Sequence, residues 1–285
     1  MKIFKKFSSS LSQSCFRQKL CFHPRSSHSF RLPASGLCFV ALLLFLLSPL
    51  LSPSLLAASP KRTSAPAPKP ADWAQFARYE ADNQKVIASG DSIVALFFGD
   101  SITDSWATME PGFFKANNYL GRGISGQTTY QFLSRFREDA VNLRPKIIVL
   151  NGATNDIAEN SHPYSEEKTV GNFRSMIEIA KANGIEVILT STLPAAGFKW
   201  NRKITDAPKK IRSLNNRLRQ LAEEYDLCFV DYYPHLLADD GYSLNPAFSP
   251  DGVHPNHAGY EIMEQLIFDQ INDLQHWLKE NKPNN

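Results

Sequence analysis

Five short, almost continuously apolar runs lie between Val94 and Val230: Val94–Phe98, Tyr119–Gly121, Lys146–Leu150, Ile185–Thr190 and Leu227–Val230. They are too short for core helices and too uniformly apolar for strands with one wet face. Longer stretches with helical spacing separate them. Helices are predicted over 72–88, 105–117 (broken at Pro111-Gly112), 128–141, 165–183 and 207–225, with a final one over 255–280. In the fifth, Ile211, Leu214, Leu218 and Leu221 recur every three or four residues, and Met263, Ile267, Ile271 and Leu274 do so in the last. Asn183-Gly184 supplies a C-terminal stop. Strands buried on both faces need helices on both faces. The alternation therefore predicts an α/β fold, a three-layer α/β/α sandwich around a five-stranded parallel sheet. In such sheets ligands bind beyond the carboxyl ends of the strands, so strand-end residues are the candidates for function.

Charge is divided unevenly along the chain. Residues 1–71 contain ten Lys or Arg and no acidic residue, while the whole chain has 31 basic and 28 acidic side chains. The remainder, 72–285, thus carries 21 basic against 28 acidic residues, a net of −7. An acidic domain argues against nucleic acid as a partner, since phosphate binding needs a basic face. Basic residues, then the apolar run Leu37–Leu56, then Ala57-Ala58-Ser59 form the layout of a secretory signal. Residues 1–58 are expected to be a signal peptide cut near Ala58, sending the protein to the periplasm or outside the cell, or an uncleaved N-terminal membrane anchor. Residues 59–71, rich in Pro, read as a linker, and 72–285 as the folded domain. No pattern in the sequence specifies an oligomeric state.

Four strand-end segments carry chemistry. The first apolar run ends in Gly99-Asp100-Ser101. The second leads into Gly121–Thr128, the third into Asn151–Asp156, and Asp251-Gly252-Val253-His254 precedes the last helix. A serine at a strand end with a late Asp and His supplies the parts for acyl transfer. On the predicted sheet all four segments share one edge. Asp100 and Asp156 are expected to be structural, with Asp100 bonding nearby backbone or capping the next helix. Asp104, Trp106 and Arg122 are open between pocket-lining and packing roles. The irregular stretch Leu193–Asp206, with Phe198 and Trp200, is placed to flank the site.

These blocks resemble the SGNH (GDSL-type) hydrolase superfamily of serine esterases and lipases, in its lysophospholipase/arylesterase-like or carbohydrate-acetylesterase-like branch. Gly99-Asp100-Ser101-Ile102, Gly123-Ile124-Ser125-Gly126, Thr154-Asn155-Asp156 and Asp251-Gly252-Val253-His254-Pro255 occur in the family order. The resemblance implies a flavodoxin-like sandwich, in agreement with the sheet argued from periodicity. It implies Ser101 as nucleophile, His254 as general base and Asp251 as the group that orients the imidazole. It implies an oxyanion hole made by the Ser101 N–H, the Gly126 N–H and the Asn155 amide, and it implies no cofactor and no metal. One departure stands out. The family has Gly directly before Thr-Asn-Asp, whereas here the order is Gly152-Ala153-Thr154. A positive φ at that position would cost an alanine about 1 kcal/mol.

The expected function is a serine esterase working through an acyl-enzyme on short acyl (acetyl) or lysophospholipid-type esters. The substrate is then a small molecule or a polysaccharide ester, and a carbohydrate O-acetylesterase of cell-wall polysaccharide is the alternative. Two readings from other classes use the same residues. One is a metal-dependent hydrolase on Asp100, Asp251, His254 and His257. The other is a non-catalytic carbohydrate-binding protein on the same fold.

Overall fold

The computed structural model describes residues 72–281. The expected leader or anchor (1–58), the linker (59–71) and the last four residues of the expected catalytic domain lie outside the described residues. Among the described residues, no helix is long and apolar enough to cross a membrane.

Helices and strands alternate as α1 (Ala77–Ser89), β1 (Ala95–Gly99), α2 (Ser101–Met109), α3 (Pro111–Ala116), β2 (Tyr119–Gly123), α4 (Thr129–Asp139), β3 (Ile147–Leu150), α5 (Thr154–Ile157), α6 (Glu166–Ala182), β4 (Glu186–Thr190), α7 (Ala207–Glu224), β5 (Cys228–Val230), α8 (Tyr233–Leu236) and α9 (His257–Asn281). A turn of 3₁₀ helix, Val141–Leu143, follows α4. The five strands pair in parallel in the order β2-β1-β3-β4-β5. The order reverses at β1, where β2 and β3 leave on opposite sides. A crevice opens at such a switch point beyond the strand carboxyl ends.

Side chains alternate across the sheet with period two. Leu96, Phe98, Ile148, Leu150, Val187 and Leu189 face one layer, with Phe132 and Phe136 of α4, Phe173 and Ile177 of α6, and Leu214 and Leu218 of α7. Ala95, Phe97, Ile147, Val149 and Ile188 face the other, with Ile102 and Trp106 of α2 and Met263, Ile267 and Ile271 of α9. The expected three-layer sandwich is therefore the observed one.

Three local expectations differ from the structure. The first helix begins at Ala77, not Asp72, because both Asp72 carboxylate oxygens accept backbone N–H groups, from Phe76 and Ala77. Trp73 and Phe76 lie ahead of that helix and are exposed. The second helix starts at Ser101, four residues early, because Asp100 caps it by accepting from the Ile102 N–H at 3.0 Å. The single-turn helices α5 and α8 are too short to carry a periodic signal. Capping also fixes α4, where the Gln131 side chain accepts from the Thr128 N–H at 2.9 Å, within a capping box.

Candidate active site

Ser101 is the first residue of α2, immediately beyond the end of β1. The turn is tight because β2 runs close beneath it. A Cβ on Gly123 would lie 2.2 Å from the Asp104 nitrogen and 2.6 Å from the Asp100 carbonyl, so only glycine fits there. The first N–H groups of a helix have no intrahelical acceptor. The Ser101 N–H is one of these, at the positive end of the α2 dipole.

The segment before α9 brings the other two predicted side chains to this serine. His254 Nε2 is 2.9 Å from Ser101 Oγ, and His254 Nδ1 is 2.7 Å from Asp251 Oδ2. Asp251 is held by its own neighbours: its Oδ1 accepts from the N–H groups of Val253 (2.9 Å) and His254 (2.8 Å) and from the Ser249 hydroxyl (3.3 Å). Partial burial pushes this carboxyl up. The hydrogen bonds from the His254 N–H, the His254 ring and the Val253 N–H outweigh that and hold it at about 2. It is an anion at every pH at which the imidazole could act. With Nδ1 hydrogen-bonded to the carboxylate, Nε2 is free to take a proton from the hydroxyl.

The loop after β2 carries Gly126 and the single-turn helix α5 after β3 carries Asn155. Gly126 has φ +80°, and no acceptor among the described residues takes its N–H. Asn155 is buried. Its Nδ2 donates to the Gln127 carbonyl at 3.0 Å and, at the long distance of 3.5 Å, to Oδ2 of Asp100, the residue preceding the serine. One N–H of that amide is thus committed to Gln127. Asn160 joins the two segments: its Nδ2 donates to Asn155 Oδ1 at 2.8 Å and to the Gly126 carbonyl at 3.2 Å.

The shift of glycine from 153 to 152 has a visible reason. Ala153 has φ +78° and is fully buried, so an alanine occupies the left-handed position. Residue 152 cannot bear a side chain, because a Cβ there would lie 2.5 Å from the Phe132 ring. Phe132 packs on Phe98 of β1. Core packing thus takes the glycine, and the strain falls on Ala153.

The two structural carboxylates are buried. Asp100 is pushed up to about 6, first by burial, against the Ile102 N–H bond and the charge of His254. Asp156 accepts from the Thr129 N–H (2.9 Å) and hydroxyl (2.6 Å), tying α5 to α4, and burial raises it too. Trp106 and Arg122 prove to be packing residues: Trp106 stacks on Tyr260 and donates to Glu264, and Arg122 pairs with Asp82. His257 Nδ1 meets Glu110 at the start of α9 and does not join His254. Among the described residues, no group of three His, Cys, Asp or Glu side chains is placed to hold a metal ion.

Sequence reasoning missed two contributors. Arg135 is buried and donates to the Gly99 carbonyl (2.9 Å), the Arg122 carbonyl (3.0 Å) and Gln127 Oε1 (2.6 Å), pinning the ends of β1 and β2 beneath the site. Alone in the sequence it looks like any surface charge of a helix. Asn160 sits in the polar run Glu159–His162, which carries no signal of its partners.

Comparison with known proteins bears on the family and the fold. A model of the GDSL-like lipase/acylhydrolase family matches residues 88–262. A GDSL-like lipase of Bacteroides thetaiotaomicron is 49% identical, over 70% of this chain and 98% of that one, with a TM-score of 0.67. A Bacteroides fragilis structure described as an acylhydrolase is 51% identical, over 71% of this chain and 98% of its own, with a TM-score of 0.68. An acetylxylan esterase of Geobacillus stearothermophilus is 25% identical over 221 residues, 65% of this chain and 95% of that protein.

Proposed function

The chain belongs to the GDSL-like lipase/acylhydrolase family, and from that premise we propose that it is a serine esterase in which Ser101, His254 and Asp251 act as nucleophile, base and orienting acid. The observation that carries this reading is the continuous relay from Ser101 Oγ to His254 Nε2 (2.9 Å) and from His254 Nδ1 to Asp251 (2.7 Å) at the carboxyl edge of the sheet. Ser101 Oγ attacks the ester carbonyl while His254 Nε2 takes its proton. The new C–O bond places negative charge on the carbonyl oxygen. Three donors are available to that charge: the N–H groups of Ser101 and Gly126, which have no acceptor among the described residues, and the second N–H of the Asn155 amide, which exchanges its long 3.5 Å bond to Asp100 for the oxyanion. Collapse breaks the bond to the leaving alcohol, which receives the proton from His254. Water, deprotonated by the same imidazole, then releases the acid from the acyl-enzyme. No step calls on a cofactor.

The substrate proposed is a short acyl ester, an acetyl group on polysaccharide above all. The similarity to an acetylxylan esterase supports it. The basic and apolar leader supports a further proposal, that the enzyme works outside the cytoplasm. The test is turnover of p-nitrophenyl esters from acetate to decanoate. Activity is expected to resist chelators, to be abolished by a serine-directed phosphonate and by Ser101→Ala, and to be highest with acetate. An optimum at octanoate or longer would refute the short-acyl assignment. Chelator-sensitive activity that survives Ser101→Ala would refute the serine mechanism.

A further inference from the structure

Beside the relay lies one large aromatic surface that the reaction above does not use. Trp200 sits in the turn Phe198–Asn201, closed by the Asn201 N–H donating to the Phe198 carbonyl at 3.1 Å. It is 49% exposed, yet it is held. Phe198 and Ile204, on either side of it in the chain, are buried in the core. Asn201 Nδ2 donates to the Ala158 carbonyl (2.9 Å), and Trp200 Nε1 donates to Asn160 Oδ1 (2.8 Å). A tryptophan fixed in this way has already given up its rotamer freedom, so a ligand settling on its face orders nothing further.

Its position is chemically specific. The Trp200 and His254 ring centroids are 6.4 Å apart, with the planes inclined by 33°. In the proposed reaction His254 hands its proton to the leaving alcohol, so the leaving group lies beside the imidazole and within reach of the indole. An alkyl chain would call for a continuous apolar groove. Here the indole is bordered in the chain by exposed Lys199, Arg202 and Lys203, and it touches the Asn160 amide. A flat face edged by hydrogen-bonding groups suits a sugar ring, which has a C–H face and a hydroxyl rim.

Asn160 carries the hold inward. While its Oδ1 accepts from Trp200, its Nδ2 donates to Asn155 Oδ1 and to the Gly126 carbonyl, and its backbone N–H donates to the Asn155 carbonyl at 3.0 Å. Occupying Asn155 Oδ1 fixes which way that amide is turned, leaving its NH₂ toward Gln127 and Asp100. Resting on the serine-esterase reading, we propose that Trp200 is the leaving-group platform, its indole face taking the ring of an acylated sugar, and that Asn160 is the positioning residue linking it to the oxyanion donors Gly126 and Asn155.

The experiment measures kcat and KM for acetylated xylo-oligosaccharide, for lysophosphatidylcholine and for ethyl acetate, an ester with no ring to stack, in Trp200→Ala, Trp200→Phe and Asn160→Ala. Ser101→Ala is the control. Trp200→Ala is expected to raise KM for the oligosaccharide about tenfold and to leave KM for ethyl acetate in place. Trp200→Phe keeps a ring but loses the N–H. It should hold the oligosaccharide KM near the parent value and share with Asn160→Ala a fall in kcat of about tenfold on both esters. Equal effects of Trp200→Ala on the two KM values, or none on either, would overturn the platform. So would a loss confined to lysophosphatidylcholine, which would make the surface a lipid contact. Parental kcat in Asn160→Ala would overturn the link. Failure of the underlying mechanism would show separately, as turnover surviving in Ser101→Ala.

Discussion

The two halves of the site are built in opposite ways. The Asp251–His254 half is local and half-exposed: one carboxylate bonds the N–H groups two and three residues on and the ring of the same histidine. The Asn155 half is buried and assembled from distant segments. Asn155 bonds Gln127 and Asn160, its neighbour Asp156 bonds Thr129, and Arg135 pins the strand ends below. A local, wet arrangement can be altered without disturbing the core. A buried one cannot, because each lost partner leaves a polar group unpaired away from water. Chemistry and stability are separable in the first half and joined in the second.

The largest effect that would test this contrast is in the first half. Ser101→Ala and His254→Ala are each expected to lower kcat by roughly ten-thousand-fold or more with little change in melting temperature. A large loss of stability in either would break the contrast. Asn155→Ala should lower kcat by roughly a hundred- to a thousand-fold and also cost about 1–3 kcal/mol in denaturant unfolding, from the orphaned carbonyl of buried Gln127. A variant that lost activity alone would show the two halves to be alike.

A pH effect comes next. The Asp100 carboxyl is raised in the folded protein to about 6 from an ordinary 3.8. The folded state therefore binds its proton more tightly than the unfolded chain, and stability from this group is present below about pH 4 and lost as pH rises to about 6. The span corresponds to about 3 kcal/mol at most. Measured between pH 4 and 7, the unfolding free energy of Asp100→Asn relative to wild type is expected to improve with rising pH. A difference flat across that range would place Asp100 in contact with water. The smallest effect is at Ala153. Glycine there relieves the positive φ but adds freedom to the unfolded chain, so Ala153→Gly should stabilise by less than about 1 kcal/mol. Gly152→Ala should destabilise by several times as much, because Phe132 has nowhere to move in a packed core.

The same contrast separates what could be read from the chain from what could not. The five strands were legible because burial on both faces leaves a continuous apolar run. Asp251 and His254 were legible because their contact is made within three residues. The glycine shift at 152–153 was visible as an anomaly, but its cause, the Phe132 ring twenty residues earlier, was not. Arg135 looks in sequence like the solvated charges that helices ordinarily carry. Its burial depends on which faces the sheet covers.

By itself the sequence determined the layer order of the fold, the edge of the sheet at which chemistry gathers, and the residue types present there. Periodicity and short-range spacing are properties of the chain, and they survive without knowledge of distant partners. Tertiary structure alone decided that Ser101 meets a histidine 153 positions away. It also decided that Asn160 joins two segments to Trp200, and that a buried alanine carries a backbone conformation suited to glycine. Those outcomes come from filling a common core, where each side chain's partners are set by the packing of all the others.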